Sequence, residues 1–468
     1  MKKGTLTVFM LAMINVAAVG SLRSWPSIAE YGFSAIFFLI FAALIFFIPV
    51  SLVSAELATG WPMLGGIYAW VKEAFGHRTG FLAIWLLWME NVIYYPALLS
   101  FIAAMVAYII DPTFQAHGPF IFFVSLVIFW LATICNLLGM RVSAWISSLG
   151  VICGNFLPAA IIILLGILWV VSGRPIQINI SLDTFFPDMS SIYQLVLFSA
   201  VLLSYAGMEM SSVHAKDVIH PQKNYPKAIL ISGLLIIGLA ISGVLSVAVV
   251  VPQHEISLTA GIMQAFTYFM QAQSLDFLIP VMAFLIFIGA VAGLNTWILG
   301  PTKGLLAAAQ TGDLPPLFRK VNRNGMPLSL LITQACVVSV LLLLFIFMPS
   351  INSAYWLISA LITEVYLIMY MIMFLAAIKL RYKRPEVKRL FKIPGGMIGM
   401  WIVAGLGIIS SLGTFIIGFF PPTQIPTGNS LFYISFLLIC VAVICLLPYL
   451  ILLFKKPSWN KRLEHETE

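Results

Sequence analysis

Charge is scarce in this chain. Only 9% of its 468 residues are Asp, Glu, Lys or Arg, against about a quarter in a soluble globular protein. That shortage excludes an ordinary water-soluble domain, and 61% hydrophobic residues stand in its place. Cysteine is also sparse: Cys135, Cys153, Cys336, Cys440 and Cys445 all fall inside apolar runs. Their spacing fits neither a disulfide framework nor a zinc site, so buried free thiols are expected. No G-x-x-x-x-G-K-[ST] occurs, which argues against ATP-driven work, and no H-E-x-x-H argues for an intramembrane zinc protease. "GGIYAW" (65–70) has the glycines of a phosphate loop without its strand–turn–helix setting. The sequence therefore implies no enzyme, no catalytic residue, no cofactor and no metal. Ten-residue segments of alternating polarity, which a membrane β-barrel needs, are missing too.

Apolar runs near 20 residues recur to the end, each long enough to cross a hydrocarbon core as a helix. The fold class is an all-α polytopic membrane protein. The start, "MKKGTLTVFMLAMINVAAV", lacks a small-residue cleavage site leading into a polar domain and reads as a retained first helix. Twelve spans are expected near 6–30, 33–58, 80–110, 118–138, 145–172, 189–213, 226–251, 275–309, 327–348, 353–380, 397–420 and 431–454. With the N-terminus inside, all but two of the 25 lysines and arginines fall on the inner side or at its edge. The exceptions are Arg174, in an outer loop, and Arg23, inside span one. This asymmetry places both termini in the cytoplasm. It also accounts for the net charge of +8 without nucleic acid, lipid headgroups at 379–392 being the minor alternative.

Span one is interrupted at "VGSLRSWP" (19–26) and span six at "LLSYAGMEMSS" (202–212). Each places glycine and small polar residues midway along an apolar run, with a charge beside them: Arg23 in the first, Glu209 in the second. They head two five-span sets, spans 1–5 and 6–10, and an odd number of spans per set inverts the second copy. Matched interruptions of this kind point to a secondary transporter's binding site. Unwinding a helix in the membrane frees backbone groups that must line a cavity and find partners. Freed amides attract a carboxylate and freed carbonyls an ammonium. A zwitterionic amino acid offers both, although glycine and proline also make ordinary kinks.

At these residues the chain resembles the amino acid–polyamine–organocation permeases, and within them most the bacterial glutamate/γ-aminobutyrate antiporters and their relatives. The resemblance covers nearly the whole chain. It is carried by "SAELATGWPMLGGIYAWVKEAFG" (54–76), "LSYAGMEMSSVHAKDVIHPQKNYPKA" (203–228), "WILGPTKGLLAAAQTGDLPPLFRKVNRNGMP" (297–327) and "FKIPGG" (391–396). It implies a ten-helix core of two inverted repeats (5+5, LeuT-like) with helices one and six broken, plus two peripheral helices. The corresponding divisions are 1–172, an outer loop 173–188, 189–380, a basic loop 381–396, peripheral helices 397–454 and a tail 455–468. By resemblance, the amides of Val19, Gly20 and Ser21 hold the substrate α-carboxylate. The carbonyls of Ser204, Tyr205, Ala206 and Gly207 take the α-amino group. Trp297 walls the pocket, and Glu209 starts the second half-helix.

There are departures. Many members read Gly-Ser-Gly in the first loop, where this chain has "VGS" and then Leu22. Many proton-coupled members carry a lysine in span five, where Ser148 stands here, which favours exchange over simple proton symport. The tail ends at Glu468, too short for the cytoplasmic plug of the glutamate antiporters.

Arg23, Glu90 and Glu364 lie well inside spans one, three and ten, where a central charge costs about 2.5–3.5 kcal/mol. Each needs a partner or a wet cavity. Arg23 is expected at the cavity, pairing with Glu90 or meeting a second carboxylate on the substrate. A structural ion pair is its plain alternative, and the favoured reading of Glu364. Glu90 and Glu209 are proton or gating candidates. Glu30, Glu56, His77 and His220 read as interfacial, and His214 as a possible pH sensor.

The expectation is an amino acid exchanger of the inner or plasma membrane, glutamate/γ-aminobutyrate-like, acting by alternating access. Its partners are small amino acids and the bilayer, and its oligomeric state is not legible. The rivals are a proton-coupled symporter or exchanger of neutral or cationic amino acids, and a channel or nutrient receptor on a transporter scaffold.

Overall fold

The computed structural model describes residues 7–61, 66–139, 152–187, 191–211 and 218–460, and every regular element among them is a helix. The first, α1 (Val8–Val19), begins where the Thr7 hydroxyl accepts the Met10 N–H at 3.3 Å, satisfying one of the helix's orphan donors. It stops at Gly20. A single tight turn, Leu22–Ser24, then leads into α2 (Trp25–Ala29). Pro26 lies in the first turn of α2, where a missing N–H costs no hydrogen bond.

The chain continues through α3 (Gly32–Gly60), α4 (Ile67–Phe75), α5 (His77–Ile110), α6 (Gly118–Leu137) and α7 (Gly154–Val171). After a connecting segment come α8 (Ile192–Ser204) and α9 (Met208–Ser211), then α10 (Pro221–Ala248) and α11 (Gly261–Gln271). The last five are α12 (Ile279–Gln310), α13 (Leu328–Phe347), α14 (Ile351–Lys383), α15 (Gly396–Gly418) and α16 (Ser430–Leu453). Ten described helices are long and apolar enough to cross a membrane: α3, α5, α6, α7, α10 and α12 to α16. This is the make-up of a multi-pass membrane protein. The two interrupted stretches, α1–α2 and α8–α9, are not among the ten. Helices α4 and α11 fall in segments that the apolar runs leave as connections.

Burial sorts the helices into an inside and an outside. The apolar stretches of α5 and α14 are 78% buried, that of α16 only 22%. α5 packs against α12 and α14, and α14 also against α15. The outer faces carry Ile409, Leu431 and Leu453, each at least 70% exposed. So large an apolar surface is a liability in water and the expected surface in lipid. Cys336 is exposed on it, against the expectation of burial; Cys135, Cys440 and Cys445 are half-buried, and all four are free. Cysteine behaves as a small hydrophobe, so a lipid-facing position serves it as well as a core.

One close approach shapes the centre. Gly154 of α7 and Gly289 of α12 meet backbone to backbone, and a Cβ at either would strike main-chain atoms of the other helix. Small residues at such crossings let membrane helices pack closely.

Candidate functional site

The two interruptions face one cavity of about 130 Å³. From the first come Val19, Gly20, Ser21 and Arg23, and from the second Ser204 and Ala206. Glu90 of α5 and Trp297 of α12 complete the set of sequence-predicted residues that it gathers. By the same measure a single water needs about 10–15 Å³, so the space holds several waters or one small solute.

The first break is built by replacing helix hydrogen bonds with side chains. The Gly20 N–H still donates to the Val16 carbonyl at 2.7 Å, closing α1. A Cβ at Gly20 would lie 2.6 Å from that carbonyl oxygen, so the position takes no side chain. Gly20 and Ser21 then run extended. Asn155 of α7 donates to the freed Gly20 carbonyl at 3.0 Å, and the Ser24 hydroxyl to that of Ser21 at 3.1 Å. Buried backbone groups are almost always paired, and here polar side chains supply the partners.

The second break turns on Gly207, whose φ of +109° is one that L side chains rarely adopt. Its N–H donates to the Tyr370 hydroxyl at 2.9 Å. Tyr370 in turn donates to Glu209 at 2.6 Å, and Tyr366, one turn earlier on α14, donates to the other carboxylate oxygen. Tyr366 lines the cavity; Gly207 and Glu209 do not. Tyr205 also lies aside, lining a smaller neighbouring space. Its hydroxyl donates to the Leu39 carbonyl at 3.1 Å and its ring packs on Phe47.

Arg23 is not paired with Glu90. It donates through one terminal nitrogen to the Tyr355 hydroxyl at 2.8 Å, and its guanidinium carbon sits 4.8 Å from the centre of the Tyr94 ring. Tyrosines from α5 and α14 occupy the place the sequence reading gave to a carboxylate. Glu90 instead accepts from Asn91 at 2.7 Å.

Other charged residues differ from expectation. Glu364 is fully buried with no hydrogen bond to either oxygen, and no ion pair among the described residues includes it. It sits against Gly418 of α15, where any side chain would strike its carboxylate. Glu56 is at a span end, as read, but buried rather than interfacial. Arg381 grips both its oxygens, at 2.7 and 2.6 Å, and Arg389 approaches to 3.3 Å. The Ile393 N–H adds a fourth bond at 2.8 Å.

His77, read as an interfacial residue, pairs with the buried Asp313 just beyond α12, where Lys455 also reaches at 3.6 Å. Tyr68 of α4 donates to Asp313 at 3.2 Å. Burial first, then the Asp313 carboxylate, push that phenol up to about 12, so it stays a donor at physiological pH. Ser148 and His214 lie outside the described residues.

The residues that sequence reasoning missed are Asn155, Tyr355, Tyr366 and Tyr370. Tyrosine and asparagine in apolar runs carry no local mark of which distant helix they serve.

Residues 4–444 match the amino acid permease family. The chain is 46% identical to an uncharacterized transporter of Legionella pneumophila, over 96% of each protein. It is 33% identical to the glutamate/gamma-aminobutyrate antiporter of Lactococcus lactis, over 96% of this chain and 91% of that one. Identity to a probable agmatine/putrescine antiporter of Lactococcus lactis is 25%, over 87% and 86%.

Proposed function

The chain belongs to the amino acid permease family, and from that premise we propose that it is a secondary exchanger of small amino acids working by alternating access. The single observation that carries this reading is the meeting of both helix interruptions, from opposite halves of the chain, in one cavity that also holds Arg23 and Glu90. In this reading α1–α2 and α8–α9 count as two broken crossings, which with the ten continuous helices make twelve. Spans 1–5 and 6–10 form two inverted repeats, with α15 and α16 outside them. Both termini face the cytoplasm of a cell whose inner membrane holds the protein.

Each part of the cavity has a task. The extended backbone at Gly20 and Ser21, just past the end of α1 at Val19, receives the α-carboxylate, and the carbonyls beside Ser204 and Ala206 receive the amine. Trp297 closes one wall, and Glu90 on the cavity and Glu209 behind Tyr366 are the groups through which protons or gating act. Glutamate and γ-aminobutyrate are the proposed exchange pair, supported by the antiporter at 33% identity. The probable agmatine/putrescine antiporter in the same comparison is the more distant relative, at 25% identity.

The test is uptake of labelled glutamate into liposomes bearing the purified protein, loaded or not with unlabelled glutamate. Uptake only into loaded vesicles supports exchange. Equal uptake into both overturns the antiporter reading in favour of uniport or ion-coupled transport. Uptake indistinguishable from protein-free vesicles removes glutamate as substrate.

A further inference from the structure

Arg23 is a buried cation short of an anion. Its side chain is only 6% exposed, and no carboxylate among the described residues lies within the 4.0 Å of an ion pair. Its Nε–H has no hydrogen-bond partner. The tyrosine rings around it supply cation–π attraction worth about 0.5–2 kcal/mol. Removing a charge from water costs several kcal/mol even after relaxation. The rings and the Tyr355 hydroxyl offset part of that and leave the Nε–H without a partner.

A second observation marks where the missing anion belongs. Beside the main cavity is a side pocket of about 20 Å³, room for one water or one small polar group. Arg23, Ser24, Leu203 and Ser204 line both spaces. On the far wall of the side pocket stands Ser359 of α14, 5% exposed, its hydroxyl also without a partner. Two unsatisfied donors, on α14 and at the start of the chain, thus line one small space next to the substrate cavity. The hydroxyls of Ser24 and Ser27 are already donated to backbone carbonyls, so their oxygens bring no second donor to compete.

We propose that this side pocket seats a carboxylate carried on the substrate's side chain, held by the Nε–H of Arg23 and the hydroxyl of Ser359. The inference rests on the exchanger reading and adds to it the residues that hold the substrate's distal carboxylate. The α-carboxylate goes to the first break, and the distal carboxylate goes to Arg23. Loss of the α-carboxylate from glutamate leaves γ-aminobutyrate, which keeps the distal one. One seat therefore serves both members of an exchange pair related by α-decarboxylation. The first break reads only the member that still has its α-carboxylate.

The experiment measures exchange of labelled glutamate, glutamine and γ-aminobutyrate in proteoliposomes, each against its own unlabelled form. Glutamine is glutamate with a neutral amide at the distal position. The wild type is expected to show a KM for glutamate more than about tenfold below that for glutamine, because an unpaired buried charge is expensive. Arg23→Gln should raise the KM for glutamate and γ-aminobutyrate by more than about tenfold and move glutamine by less than about twofold. Ser359→Ala, a smaller change that keeps the test alive if Arg23→Gln does not fold, should raise the same two several-fold with glutamine unmoved.

Equal KM values for glutamate and glutamine in the wild type overturn the proposal and leave the exchanger reading intact. So does loss of all three substrates together in Ser359→Ala. Replacing chloride by gluconate separates the remaining source of a small anion. If glutamine exchange then fails, and fails to depend on chloride in Arg23→Gln, the pocket holds an inorganic ion and the proposal is wrong. Absence of exchange for every amino acid in a wide panel sinks both readings.

Discussion

The Tyr370 hydroxyl donates to the Glu209 carboxylate at 2.6 Å while accepting the Gly207 N–H at 2.9 Å. A phenol has one hydrogen to give, so the two bonds fix its orientation and make it a clamp across the second break. Tyr370→Phe strips the Gly207 N–H and one Glu209 oxygen of this partner at once. An unsatisfied buried group costs about 1–3 kcal/mol, and the expected result is a loss of exchange rate of about 5- to 150-fold. Tyr366→Phe removes one bond to Glu209 and leaves Gly207 held, so it should cost less. Initial rates in proteoliposomes rank the two; the reverse order would show that Gly207 does not need its clamp.

Glu56 is expected to contribute to stability through its buried ion pairs. It sits among two guanidinium groups and a backbone N–H, all buried. Removing one partner of a buried ion pair costs roughly 3–5 kcal/mol because the other charge stays behind. Glu56→Gln leaves two cations facing each other and should lower the thermal midpoint in detergent by several degrees. A midpoint within one degree of wild type would mean that Arg381 and Arg389 find water instead.

Gly154 is expected to tolerate nothing larger. Alanine there drives a methyl group into the main chain of α12, and backbone cannot rotate out of the way as a side chain can. Since both glycines also line the cavity, Gly154→Ala should abolish exchange while Gly293→Ala, whose Cβ meets nothing within 4 Å, should fold normally. Size-exclusion profiles and exchange assays on the pair decide it.

Asp313 draws together Tyr68, His77 and Lys455 from three separate segments. The lysine is its loosest partner, at 3.6 Å, and the one whose side chain keeps some access to water, 23% exposed against a fully buried carboxylate. Lys455→Ala should therefore leave the melting curve nearly unchanged, whereas Asp313→Asn should lower it clearly. Equal effects would give the tail a larger share in holding the fold.

The helices and their two interruptions were legible because membrane helices announce themselves. Gly20, Pro26 and Arg23 stand out in an apolar run in a way that Gly20 alone in a soluble loop would not. The partners did not stand out. Asn155, Tyr355 and Tyr370 reach the breaks from helices 135 to more than 300 residues away in sequence, and no local periodicity encodes such a contact. The charged residues show the same limit. Arg23 and Glu90 line one cavity, yet they do not pair directly: Tyr355 takes one terminal nitrogen of the guanidinium and the Tyr94 ring lies against it, leaving only the Nε–H without a partner. Glu364, expected in an ion pair, has instead a glycine's worth of room against α15. Amphipathic α4 and α11 hid in connections because they are too short to read as spans.

That glycine gives the last two helices a duty of their own. Gly418 lies directly over the Glu364 carboxylate, so α15 works as a shield between a polar group and the surrounding hydrocarbon. A chain cut back to Lys383 would keep both halves of the cavity and still expose an acid to acyl chains. The outermost helices, which contribute no residue to the cavity lining, are what make the interior of α14 permissible.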